Sequence, residues 1–228
     1  MESGTTMRGM KLKWRNEMKV AIGLPCSFPM VYEDFMASIL TMDKTGIEVE
    51  LFRARTGHDI AMLRNDIVRG FLKSDCSHLL QIDSDMIVHK NALICMLQRD
   101  VDIVGALYFM RYPPFAPCSV RFKNKENDEV DPFTIKELQS KELLMTDRVG
   151  TGCMLIKREV LENVKYPWFN TKKKNMQIVM SDDYFFCDKA RETGFKIFVD
   201  TAVPCQHLSN AAIDIVWYIK FGQHYKRR

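Results

Sequence analysis

The sequence predicts an α/β fold with a mostly parallel central sheet, helices on both faces and a small antiparallel second sheet. Three observations lead there. Short, wholly apolar runs alternate with stretches of helical period, the pattern of strands buried on both faces by covering helices. Apolar residues make up 46% and charged residues 27% of the chain, ordinary values for a globular protein. At 228 residues, one α/β domain can bury a full core without disulfide staples.

The elements follow in order. Residues 1–17 are polar and read as a loose lead-in, so the domain is expected over 18–228. Val20 to Leu24 is an apolar run halted by Pro25, a first buried strand. Val31 to Leu40 has helical spacing, Ile47 to Phe52 alternates as a strand does, and Arg53 to Asp59 is a loop. Ile60, Leu63, Ile67 and Phe71 mark an amphipathic helix over Ile60 to Leu72. His78 to Ile82 is a strongly apolar strand, Ala92 to Leu97 a helix, and Ile103 to Tyr108 another buried strand. Past Pro113-Pro114 the pattern changes. Ser119 to Phe122 reads as an edge strand and the charged stretch Lys123 to Asp131 as an exposed loop. Leu143 to Lys157 reads as two short strands around Gly150-Thr151-Gly152. Ser181 to Thr193 is a helix closed by Gly194, Lys196 to Val199 a last strand, and Asp214 to Phe221 a terminal helix. No internal repeat or linker divides the chain.

Charge and cysteines exclude several classes. There are 33 basic and 29 acidic residues, a net +4 that Lys220, Lys226, Arg227 and Arg228 supply by themselves. A basic tail is expected, solvated in the simplest case, but not a basic fold. The seven cysteines are widely spaced with no C-x-x-C, which suits reduced core thiols and neither a disulfide frame nor a zinc site. No run approaches the ~18 apolar residues of a membrane span. The first 17 residues lack the apolar region of a signal peptide, so a cytoplasmic location is expected.

Chemistry concentrates at Asp83-Ser84-Asp85, where an apolar strand ends in two carboxylates. Ligands of open α/β sheets bind beyond that end of the strands. In an extended chain Asp83 and Asp85 point to one side, about 7 Å apart. Hard oxygen ligands suit Mg²⁺ or Mn²⁺ on a diphosphate. Asp182 and Asp183 follow Ser181 at a helix start, where the helix dipole stabilises acids and lowers their pKa, which does not favour a base. His207 follows the last strand; His58, His78, His89 and His224 compete with it for any role.

Together these residues resemble the family 2-like glycosyltransferases of the GT-A fold, a Rossmann-type architecture. Asp83-Ser84-Asp85 resembles the D-x-D motif. Arg64-Asn65 is similar to an Ala-Arg-Asn element on the helix before it. Val149 to Ile156 resembles a Gly-rich segment before a short strand, and Asp182-Asp183-Tyr184-Phe185-Phe186-Cys187 a Glu-Asp-x-x-Phe-Cys helix start. Gly194 to Asp200 and then His207 match a late strand and histidine. One departure stands out: Asp182 holds the place of a glutamate.

The resemblance implies transfer of a hexose or pentose from a nucleoside-diphosphate sugar, UDP-linked foremost, to a hydroxyl. It implies Mn²⁺ or Mg²⁺ on Asp85 and His207, with Asp83 on the metal or the ribose. Asp183 is implied as the base of an inverting reaction, with Asp182 as alternate or donor contact. Pro25, Arg64, Asn65, Asp83, Ser84, Gly150, Thr151 and Gly152 are implied around the donor. Lys172-Lys173-Lys174 is a flap candidate or a solvated loop, and Tyr108, Tyr112, Trp168 and Phe169 are stacking candidates or core.

The acceptor (a glycan, a protein, a small molecule or a hydroxymethylated DNA base) and the oligomeric state are not written in these motifs. Rival readings are weaker. A haloacid dehalogenase-type phosphatase wants its D-x-D on the first strand, followed by Thr or Val; Met86 follows here. A sugar nucleotidyltransferase wants a basic Gly-rich loop after the first strand, and Gly23 to Ser27 has no lysine or arginine. A nucleotide-sugar-binding module without catalysis would bind donor and not turn it over.

Overall fold

In the computed structural model the described residues are 18–27, 30–54, 59–127, 129–209 and 212–222. The lead-in 1–17, His58, His224 and the basic residues 226–228 of the tail lie outside them. In chain order the elements are β1 (Lys19–Pro25), α1 (Glu33–Thr41), β2 (Glu48–Ala54), α2 (Ile60–Leu72), β3 (His78–Ile82), β4 (Met86–Ile87), α3 (Ala92–Arg99) and β5 (Ile103–Leu107). Then come β6 (Ser119–Val120), β7 (Phe122–Asn124), β8 (Glu129–Val130), α4 (Ile135–Leu138), β9 (Leu143–Thr146), β10 (Arg148–Val149), β11 (Cys153–Lys157) and α5 (Arg158–Asn163). The rest are β12 (Lys172–Lys174), β13 (Gln177–Met180), α6 (Asp182–Glu192), β14 (Ile197–Pro204), β15 (Gln206–Leu208), β16 (Ala212–Ile213) and α7 (Ile215–Trp217), which runs on as a π-helical turn over Tyr218–Gly222.

The main sheet has seven strands in the order β2-β1-β3-β11-β5-β14-β9. β1 pairs in parallel with β2 and β3, and β14 with β5. β11 runs antiparallel between β3 and β5, and β9 antiparallel on the edge beside β14. Its inner strands β1, β3, β5 and β11 are apolar at most positions because each faces two cores, whereas the edge strand β2 is exposed or half-buried as far as Ala54. Val20, Ile22, Leu80, Ile82, Val104 and Leu155 pack toward Phe35 of α1 and Leu93 and Met96 of α3. The alternate residues, Ala21, Leu79, Ile103, Met154 and Ile156, pack toward α2, α5 and α6 through Leu63, Phe71, Leu161 and Phe186. Period 2 in the backbone sends neighbours to opposite faces, and both faces are covered. The thiols Cys26, Cys76, Cys153, Cys187 and Cys205 are buried among these residues.

The small sheets depart from the sequence reading in specific ways. Leu143 to Lys157 contains three strands rather than two, and the last is central in the main sheet. The charged stretch read as a loop forms the hairpin β7–β8, in which Lys123 pairs with Glu129. Lys172 to Lys174 is likewise a strand, paired with β13. α4 and α5 are short helices with no long apolar stripe to betray them. Gly194 does close α6, at φ +99°, a conformation that a side chain would strain. The three-stranded antiparallel sheet β16-β15-β4 lies beyond the end of β3 and pairs His207 with Met86. No helix among the described residues is long and apolar enough to cross a membrane.

Asp200 on β14 is fully buried, and Arg99 at the end of α3 meets its two oxygens at 2.7 and 2.8 Å. Removing one partner of a buried pair strands the other charge. Arg99→Ala is therefore expected to lower unfolding stability by about 2–3 kcal/mol in urea titration; a loss below about 0.5 kcal/mol would show that the Asp200 charge is solvated some other way.

Candidate active site

Two acidic segments, far apart in sequence, meet at the carboxyl end of β3, and Arg64 joins them. α2 begins at Asp59, whose side chain accepts from the Ala61 amide, and its inner face carries Arg64 and Asn65 into the protein. The Arg64 Nη atoms meet both oxygens of Asp83 at 2.7 and 3.1 Å, and its Nε meets Asp182 at 2.7 Å. Arg64 is 4% exposed. Burial opposes its charge, but Asp83 and Asp182 outweigh burial and hold its pKa above the ordinary value. Asn65 is also committed. Its amide donates to Ala61 and Phe169 carbonyls, and its oxygen accepts from the Trp168 and Phe169 amides.

This corrects the expectation for both residues. Arg64 and Asn65 are buried, and their polar groups are committed to partners within the protein, so neither presents an open surface. Asp182 is corrected with them: it is buried against Arg64 and is not a free carboxylate.

Asp83 and Asp85 do not share one side. The chain leaves β3 and turns at Ser84-Asp85, so it does not stay extended. Asp83 faces Arg64, and its backbone amide donates to the Gly152 carbonyl. Asp85 instead faces the small sheet. Its Oδ2 lies 3.5 Å from Nε2 of His207 and 2.9 Å from Nη1 of Arg111. Burial disfavours the Asp85 charge, yet His207 and Arg111 outweigh it and hold its pKa below the ordinary range. Nδ1 of His207 lies 3.0 Å from the Phe109 carbonyl. A carbonyl only accepts, so Nδ1 carries a proton, and Nε2 is the ring nitrogen turned toward Asp85; a proton on it completes the ion pair, and without that proton its lone pair faces the same side. Two lone-pair donors at that distance fit a divalent cation between them. Of the three residues expected around a metal, Asp85 and His207 lie side by side, while Asp83 turns toward Arg64.

Asp183 lies next to Asp182 in the first turn of α6, within electrostatic reach of Arg64. Its Oδ1 accepts from the Tyr184 amide at 2.8 Å and from the Ser181 hydroxyl. A Cβ on Gly150 would lie 3.3 Å from its Oδ2, which places the carboxylate against that turn. Burial, and then the Asp182 charge, raise its pKa to about 6; Ser181, Arg64 and the Tyr184 amide hold it back. The helix dipole alone implied the opposite direction. Desolvation beside a second carboxylate outweighs it here.

The Gly150-Thr151-Gly152 turn supports this wall. A Cβ would meet Tyr108 Oη at 2.0 Å from Gly150 and the Tyr108 ring at 2.6 Å from Gly152. The Gly152 amide donates to Tyr108 Oη at 2.9 Å. The glycines therefore admit the Tyr108 ring, and Thr151 is buried with its hydroxyl unpartnered. Pro25 is also buried, at the end of β1 opposite Ala54, so its ring does not line a surface. Ser84 lies half-buried in the turn. Tyr108, Trp168 and Phe169 are core; of the four aromatic candidates only Tyr112 is largely exposed.

Two other features compete for attention. A cavity of about 470 Å³ is lined mostly by apolar groups such as Ile87, Leu107, Leu138 and Pro204; none of Asp83, Asp85, Asp183 or His207 borders it. Glu50, Asp75 and Cys76 have ligand atoms within 4.8 Å of one another, but the Lys19 ammonium lies 2.7 Å from Asp75 and 3.3 Å from Glu50 and already serves that cluster as its cation. Sequence reasoning missed Arg111. Its position just past the carboxyl end of β5 was the one available signal.

The family model for glycosyltransferase like family 2 matches residues 41–221. The chain belongs to that family. Its fold is GT-A-like, as two solved structures show. A197 from STIV is 18% identical, with 86% of this chain and 94% of that one covered at a TM-score of 0.59. GalNAc-T7, solved with UDP, GalNAc and Mn²⁺, is 11% identical, with 84% of this chain covered at a TM-score of 0.53. The alignment spans 43% of that second chain, so this glycosyltransferase-family chain accounts for less than half of it. No curated protein sequence matches at a significant level.

Replacing Arg64 tests the clamp. Arg64→Ala leaves Asp83 and Asp182 without their counter-ion and is expected to cost about 3–5 kcal/mol of stability in chemical denaturation. Arg64→Lys, a point charge that cannot span both carboxylates, should recover only part of that. Full recovery by lysine would mean that charge, not the fork geometry, holds the two segments together.

Proposed function

We propose that this family member transfers a sugar from a nucleoside-diphosphate sugar, UDP-linked foremost, to an acceptor hydroxyl, with Asp183 as the base and inversion at the anomeric carbon. One observation carries the reading. Of the three carboxylates around Arg64, two are neutralised by it, and the third, Asp183, is left in the cleft with a pKa of about 6. A carboxylate poised near neutrality takes a proton from an attacking hydroxyl better than an ordinary one does.

The residues divide the work. Asp85 and Nε2 of His207 are the ligands we assign to a divalent cation, which when bound neutralises charge developing on the departing diphosphate. A mixed carboxylate and imidazole set suits Mn²⁺ more than Mg²⁺, which prefers oxygen throughout. The part of Asp83 not covered by Arg64 accepts from a ribose hydroxyl. Asp183 holds the acceptor hydroxyl by hydrogen bond and removes its proton as the new bond forms. One displacement inverts the centre, and the oxocarbenium character of the reacting carbon is favoured by the same carboxylate. The exposed hairpin β12–β13 immediately precedes α6, so its lysines stand close in sequence to this base.

Nucleotide release from UDP-, GDP-, dTDP- and CMP-sugars, with Mn²⁺ and with EDTA, tests the donor and the metal together. Slow, Mn²⁺-dependent release from a UDP-sugar is expected; release unchanged by EDTA would remove the metal assignment. Asp183→Asn should keep UDP-sugar affinity and lose about 10²–10⁴-fold in rate. An unimpaired rate would place the base elsewhere.

The sign of the pH dependence follows from the same group. A base works deprotonated, so kcat/KM should fall about tenfold per pH unit below about 6, with little change just above it. A profile flat down to pH 4.5 would exclude Asp183 as the titrating base.

A further inference from the structure

The geometry points to Arg111 as an internal counter-ion that competes with the divalent cation for Asp85 and, once displaced, serves the donor's diphosphate. This rests on the assignment of Asp85 and His207 as metal ligands and adds a residue to it. The same oxygen, Oδ2 of Asp85, faces both His207 Nε2 at 3.5 Å and Arg111 Nη1 at 2.9 Å. A guanidinium that close to the oxygen already draws on the charge that a cation would use. A guanidinium and a divalent cation on one half-buried carboxylate oxygen repel each other, so each weakens the hold of the other and the doubly charged cation favours the guanidinium's departure.

The backbone around Arg111 says which part moves. β5 leads into a loop pinned at several points. The Met110 amide donates to Ala116 at 2.8 Å, the Phe115 amide to Tyr112 at 2.8 Å, and Phe109 bridges to Pro117. Phe115 is buried against Trp217 of α7, with ring centroids 5.7 Å apart. Asp85 is fixed as well, since its carbonyl accepts from the Leu208 amide at 2.7 Å. The Arg111 side chain, in contrast, is 35% exposed. Release of Asp85 is therefore a rotation of the Arg111 side chain and needs no loop opening. A guanidinium swung away from a pinned backbone stays within its own reach of the site, where a diphosphate supplies the oxygen acceptors that Asp85 no longer offers. Its fork matches phosphate oxygens as well as it matches a carboxylate.

The two roles predict opposite signs, which a merely structural residue would not show. Removing the charge should help the cation and harm the anion. Mn²⁺ binding to the full chain is read by electron paramagnetic resonance, first with Mn²⁺ alone and then UDP titrated at saturating Mn²⁺. Arg111→Gln is expected to bind Mn²⁺ alone about two- to fivefold more tightly than the wild type, and UDP about two- to fivefold more weakly, the scale of a partly exposed ion pair. Arg111→Lys, which keeps the charge, should shift both affinities less than the glutamine variant. Mn²⁺ affinity that is unchanged or weaker in Arg111→Gln, with the wild type binding normally, overturns the counter-ion role and leaves the metal assignment standing. Absence of Mn²⁺ binding in both proteins overturns the two together. Tighter Mn²⁺ binding with unchanged UDP affinity keeps the competition and overturns the diphosphate role.

Discussion

Arg64 carries one buried positive charge that two carboxylates from distant parts of the chain share. Asp83 arrives at the end of β3, and Asp182 arrives about a hundred residues later at the start of α6. None of the three would be tolerated alone in that environment, because a buried charge without its partner costs several kcal/mol. The pairing therefore fixes where the first turn of α6 lies relative to the end of the sheet. Everything else in the site inherits that placement: Asp183 follows Asp182 by one residue, and Asp85 follows Asp83 by two.

The same triad explains why neighbouring acids behave differently. Asp182 and Asp183 share a helix turn, but only one of them meets the guanidinium. The other is left with burial and a like charge beside it, and its pKa rises to about 6. Asp83 and Asp85 divide in the same way across a turn, one toward Arg64 and one toward Arg111 and His207. Each acidic pair is thus split between different partners. The antiparallel strand β11, inserted between β3 and β5, completes the arrangement by bringing the Gly150–Gly152 turn against Asp83 and Tyr108.

Much of the frame could be read along the chain. The largely apolar runs Val20–Leu24, His78–Ile82 and Ile103–Tyr108 identify buried strands, since a sheet covered on both faces asks for apolar residues at most positions. The D-x-D at the end of one of them marked the site, and the helix start at Ser181 marked its second half. The short elements were less legible. Strands of two or three residues and helices of four to six carry too few periods for an apolar pattern to declare itself.

The sequence by itself determined the α/β class, the order of its main elements and the residue types gathered at the carboxyl end of β3, because these depend on periodicity and on neighbours in the chain. It did not determine which acid would pair with which base. Arg64 looked like a ligand contact and is buried between two carboxylates; Arg111 was marked only by its place just past the carboxyl end of β5. Asp183 looked like a low-pKa acid under a helix dipole, and burial beside Asp182 reversed that. The physical reason is common to these cases. A side chain's partners and its desolvation are set by segments distant in sequence, and Coulomb interactions in a half-buried cleft outweigh the local preferences of a turn or a helix end.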